Sequence, residues 1–207
     1  MCRAWPTVWV FDAAGGEGPD WLDSLGYGTT VAGAIRKFAP SVSLLAVKVF
    51  DRSLTTSITS LVAAIAWSVR HGADLINLSL GVKDSEHVDV MNAAIRHAGA
   101  RGSLIVAAGQ DGGIRWLPGS PDGVLGVELD WQCPRGQFVC VRDERSVVFR
   151  TSGYPRPVPG VDPERNLKGV SFAVPNMTGL AARTLAEHPV SGYTDLVARL
   201  ADRASPH

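Results

Sequence analysis

The stretch Lys168-Gly169-Val170-Ser171-Phe172-Ala173-Val174-Pro175-Asn176-Met177-Thr178-Gly179-Leu180-Ala181-Ala182 reads as a tight glycine turn that feeds a long helix. Ser171 sits at the turn, where the helix begins. A helix N-terminus carries unpaired N–H groups and roughly half a positive charge, so it favours a side chain that must become an anion. Pro175 is expected in the first helical turn, where the amide it lacks would be unpaired anyway. Gly179, Ala181 and Ala182 are small enough to let this helix pack closely against its neighbours.

Upstream, the chain alternates between apolar runs and helical patterns. Residues 7–12 form a short apolar run ending in Asp12, which suggests a strand buried on both faces with the acid at its carboxyl end. Open α/β sheets place their sites at that end. Residues 13–19 read as a loop. Residues 27–38 predict a helix of small residues, and 43–50 a second strand. Residues 57–70 carry Leu61, Ala64, Ile65 and Val69 at helical spacing. Further strands are expected at 73–81, 102–110 and 124–128, and a crossover helix at 88–100. Residues 137–141 and 147–150 alternate as a hairpin does, and 193–203 predict a closing amphipathic helix. Strands alternating with helices imply an α/β, doubly wound, mostly parallel sheet in a single domain.

Four motifs give this order a second meaning. The serine stretch, G-V-S-F-A-V-P here, resembles the G-T-S-x-A-x-P motif of the subtilisin-like serine peptidases. The run from Gly28 resembles that family's H-G-T-x-V-A-G motif. Gly28, Thr29, Val31, Ala32 and Gly33 match it, but Tyr27 stands where the histidine belongs. Ala107-Ala108-Gly109-Gln110 resembles A-A-G-N, whose asparagine donates to the oxyanion; Gln110 takes its place. Asp12 stands at the acid position. Ser79, Leu80 and Gly81 match the segment that pairs with bound peptide as a strand. On the residues alone, Asp12 equally reads as a loop aspartate capping a turn, and 79–81 as a strand ending in a glycine turn.

The resemblance runs from about Val8 to Ala186 and implies the three-layer subtilisin-like fold. A rival, the α/β-hydrolase, needs G-x-S-x-G with its acid and base after the serine. Here Ala173 replaces the last glycine, and too little chain follows. The chain looks like a minimal, degenerate member. The interval between Asp12 and Tyr27 is short, and residues 36–43 lack the length and the carboxylates of a calcium loop. We expect one domain over 1–207, with no pro-region, no metal and no cofactor.

The family mechanism needs a base that takes the serine proton and returns it. Imidazole, near pKa 6.5, suits; a phenol, near 10, is protonated at neutral pH and cannot accept it. Asp12 nearby would oppose a tyrosinate. Tyr27 is therefore expected as a hydrogen-bond filler, and the extra methylene of Gln110 shifts its amide from the oxyanion. His71, His87, His97, His188 and His207 are expected as surface or cap residues; His87, in a loop after Gly81, has the most freedom. The expected function is a pseudopeptidase that binds a peptide or partner protein, such as a precursor peptide or a processing-complex subunit. The alternative is a serine hydrolase or acyl-transfer enzyme using Ser171 with an unusual or partner-supplied base. A plainer third reading keeps the fold only as an interaction module, alone or in a hetero- or homo-oligomer.

Composition bounds the rest. Lys and Arg number 20, and Asp and Glu 20, so net charge offers no electrostatic case for nucleic acid or an anionic membrane. No run approaches the roughly 20 apolar residues of a membrane span. The N-terminus shows no secretory signal, so the cytoplasm is the default location. Cys133 and Cys140 could pair across the hairpin, leaving Cys2 over; an odd count without a signal favours reduced thiols.

Overall fold

The structure is a computed structural model that describes residues 8–11, 17–18, 23, 25–50, 52–81, 85–111, 113–119, 122–142, 146–155, 157, 159–162 and 165–206. Its strands are β1 (Val8–Phe11), β2 (Glu17–Gly18), β3 (Ala46–Lys48), β4 (Leu75–Leu78), β5 (Leu104–Asp111), β6 (Ile114–Arg115), β7 (Val124–Leu129), β8 (Phe138–Arg142) and β9 (Val147–Thr151). Its α-helices are α1 (Tyr27–Phe38), α2 (Ile58–Arg70), α3 (Val88–Ala100), α4 (Val170–Glu187) and α5 (Tyr193–Asp202), with a 3-10 turn at Ser85–His87.

The parallel core follows the order β4-β5-β7-β9, with β8 closing the edge as an antiparallel hairpin partner of β9. A second ladder holds β2-β1-β3, where β1 and β3 run parallel. The fold is the expected three-layer α/β arrangement, although its hydrogen bonding divides into these two sheets.

Alternation along the strands explains the layers. In β5, Leu104, Val106 and Ala108 join one core, while Ile105 and Ala107 join another. The first lies under α4 and α5, and the second under α2 and α3. A strand apolar at every position is what a sheet covered on both faces requires. Each large apolar side chain so buried contributes roughly 1.5–3 kcal/mol.

Helix α4 is the central element, with residues 172–181 all buried. It lies against the sheet on one side and α1 on another, and Gly179 lets α1 come close. A Cβ there would stand 2.7 Å from the Ile35 carbonyl oxygen. Helix α2 starts at Ser57, whose hydroxyl accepts from the Ser60 amide at 3.0 Å.

Two expectations are corrected. Pro175 lies inside α4 rather than in its first turn, because the helix already begins at Val170. Proline there removes the amide that would bond the Ser171 carbonyl. The stretch expected as a loop contains the short strand β2, which pairs antiparallel with β1. Cys133 and Cys140 are both free, in agreement with the reading that favoured reduced thiols over a bridge across the hairpin.

Candidate active site

Ser171 is the second residue of α4, one place after Val170. The turn before it needs glycine: Gly169 has φ of 135°, a region closed to side chains. Its amide donates to the Gly153 carbonyl at 3.0 Å, tying the turn to the segment after β9. That segment is held in turn by Asn176, fully buried, whose amide donates to the Ser152 and Tyr154 carbonyls at 2.8 and 2.9 Å. Trp131 and Tyr154 flank the turn with ring centroids 5.1 Å apart, and the Lys168 ammonium lies 6.0 Å above Trp131.

Tyr27 opens α1, and the close packing of α1 on α4 carries its ring to the serine. The ring meets Phe172 at 5.7 Å between centroids and Phe50 at 6.2 Å. Its hydroxyl donates to the Ser79 carbonyl at 2.8 Å. A phenol has one proton to give, and here it goes to the Ser79 carbonyl. Burial pushes the Tyr27 phenol above its ordinary value, against the opposing pull of Ser171 and Ser79. At neutral pH the group is therefore an uncharged phenol, a poor acceptor for a proton in transfer.

Of the other anticipated site residues, Ser79 joins this cluster directly. Its hydroxyl accepts from the Asn77 amide at 2.9 Å, and the Asn77 carbonyl oxygen accepts from Thr178 of α4 at 2.8 Å. Leu80 packs instead toward the core beneath α2 and α3. Gly81 faces the Trp116 side chain. Gln110 lies near the end of β5, exposed; its backbone is paired in register with Arg115 and Glu128, and no contact joins it to Ser171 among the described residues. Asp12 falls outside the described residues.

No imidazole hydrogen bonds Ser171 among the described residues. His71 reaches the Trp67 carbonyl at 2.9 Å and stacks on that indole, centroids 3.7 Å apart. His87 precedes α3 as its N-cap, His97 lies in α3, and His188 caps the end of α4. His207 is outside the described residues. Asn77, Trp116 and Asn176 carry no local signal, because each acts through a partner distant along the chain.

The chain resembles known proteins along most of its length. A family model described as the Subtilase family matches residues 14–131. Subtilisin DY of Bacillus licheniformis is 30% identical over 203 residues, which cover 88% of this chain and 72% of that one. The solved structure of the prenylagaramide maturation protease PagA superposes with a TM-score of 0.53 and 28% identity, over 69% of this chain and 54% of PagA. Sphericase shares the fold with a TM-score of 0.71 at 22% identity, covering 95% of this chain and 76% of its own. The chain thus spans little more than half of PagA.

Proposed function

The chain belongs to the subtilase family, and from that premise we propose that it is a pseudopeptidase. It binds an extended peptide or a partner protein along Ser79, Leu80 and Gly81 and cleaves amide bonds little or not at all. One observation supports this reading: the Tyr27 hydroxyl, at the position we read as the base's, gives its proton to the Ser79 carbonyl, and burial keeps the phenol protonated. Members of a catalytic triad act as a unit, so loss of the base alone costs about as much as loss of all three, as the subtilisin series used to establish the rule illustrates. Strand-to-strand binding needs only main-chain groups, and these survive the loss.

In this reading Asp12 keeps the acid's place and Gln110 the oxyanion donor's, without a base to serve. The bound chain is a precursor peptide or a subunit of a processing complex, in line with the maturation protease PagA among the similar structures. The cytoplasm is the location we assign, where the free thiols Cys133 and Cys140 stay reduced. Titration of the purified protein with a labelled peptide library tests the reading. Saturable binding with no cleavage products is expected; rapid cleavage, or no binding and no partner in pull-downs, overturns it.

A second reading keeps Ser171 as a working nucleophile whose base a partner supplies. Its support is the retained serine at the positive end of α4. Labelling of Ser171 by a fluorophosphonate probe, in the presence of the natural partner only, would favour it.

A further inference from the structure

We propose that Trp116 sets the size limit of the groove, so that the bound peptide carries glycine, alanine or serine where it pairs with Gly81. The inference rests on the peptide-binding reading above and adds the class of peptide.

The argument starts from alternation in and beyond β4. Ile76 and Leu78 point into the core beneath α2 and α3. Asn77 accepts from Thr178 of α4, and its amide donates to Ser79 Oγ. Residues 77 and 79 therefore face α4, and Leu80 faces the opposite side. Gly81 continues the α4 face, and its missing side chain has a reason. A Cβ there would lie 3.0 Å from Trp116 Cε3, 3.1 Å from Trp116 Cβ and 3.3 Å from the Leu117 carbonyl oxygen. The indole packs against the core on the α4 side. Its backbone is fixed as well, since the Trp116 amide donates to the Gly109 carbonyl at 2.9 Å.

A peptide paired with 79–81 projects the residue opposite Gly81 onto the same face, with Cβ atoms about 4.5–5.5 Å apart. That face holds the indole. It is also the face toward α4, on which Ser171 and Tyr27 lie. Space that a free groove would give to a peptide side chain is already filled by Trp116. Residues one place along the peptide point to the other face and escape the limit.

The test uses the intact protein and short extended peptides varied at one position among Gly, Ala, Ser, Leu and Phe, with binding read by fluorescence anisotropy. The wild type is expected to favour the small residues over Leu and Phe by about tenfold or more. Trp116→Ala should accept Leu and Phe, and Trp116→Phe should fall between. A wild type that takes Phe as well as Gly, or a folded Trp116 variant with unchanged preference, overturns the size limit and leaves peptide binding standing. Failure of the wild type to bind any peptide removes both. Gly81→Ala supplies a readout independent of peptide. It should lower the denaturation midpoint in the wild type and do so far less in the Trp116→Ala background; an equal loss in both would remove the contact on which the inference stands.

Discussion

The Tyr27 hydroxyl donates to the Ser79 carbonyl at 2.8 Å while its ring packs on Phe172 at 5.7 Å between centroids. One phenol thus links α1, the end of β4 and the start of α4. Tyr27→Phe would leave the Ser79 carbonyl without this donor. A cost of about 1–2 kcal/mol is expected in urea denaturation. Affinity for peptide should fall as well, because the hydrogen bond orients the chain just before Leu80 and Gly81. An unchanged midpoint together with unchanged affinity would show that the phenol merely fills space.

Alkaline titration reports on the same group. Burial holds the Tyr27 phenol above its ordinary value, and burial together with the Asp122 and Cys140 charges does the same to Tyr193. Because the folded pKa values are raised, the native state keeps these protons longer than the unfolded chain does. Stability is therefore complete below the unfolded value of about 10 and declines as pH rises through the folded values. Denaturation midpoints followed upward from about pH 8 should drop beyond about pH 10, and Tyr27→Phe should drop less steeply. Equal slopes in the two proteins would mean that the phenol ionises as freely folded as unfolded.

The close approach of α1 to α4 decides where Tyr27 stands. A Cβ on Gly179 would lie 2.7 Å from the Ile35 carbonyl oxygen and 3.1 Å from Phe38 Cβ. Backbone cannot yield there cheaply, so Gly179→Ala should cost about 1–3 kcal/mol by overpacking. By pushing α1 outward it should also weaken peptide binding, since Tyr27 moves with the helix. Full stability in this variant would show that the two helices can separate without strain.

How much of this was legible in the chain depends on distance along it. Helix α3 was readable to both ends, 88–100, since its apolar spacing and the Arg101-Gly102 exit are local signals. Tyr27 was readable because its neighbours Gly28 to Gly33 form a motif with one place changed. Pro175 was misplaced because helix starts are set by Gly169, whose φ no sequence rule fixes. Strand β2 was hidden in a glycine-rich stretch, its pairing supplied by β1. Trp116 carried no local signal, because its meaning lies in the missing side chain of Gly81.

Asn176 shows how the core holds the serine turn. Its amide satisfies the Ser152 and Tyr154 carbonyls, and Gly153 between them accepts from Gly169. Asn176→Ala would remove both bonds, one of them to the buried Ser152 carbonyl, at an expected cost of about 1–3 kcal/mol. Hydrogen exchange at the Gly169 amide should quicken in the variant more than exchange in α3, which shares none of these bonds. A uniform change across both would indicate global loosening instead.

The strongest test of the proposed inertness is to put an imidazole where Tyr27 stands. Tyr27→His places an imidazole at the head of α1, within reach of a serine that already sits at the positive end of α4. General-base assistance contributes about 10²–10⁴-fold to such reactions, so fluorophosphonate labelling of Ser171 should rise by roughly that range over the wild type. The gain should vanish below about pH 6, as the imidazole takes a proton and loses its lone pair. Labelling that stays at the wild-type level would move the defect elsewhere, with the oxyanion position proposed for Gln110 as the next candidate. Tyr27→His combined with Gln110→Asn would then separate the two, because only a misplaced donor is repaired by shortening that side chain.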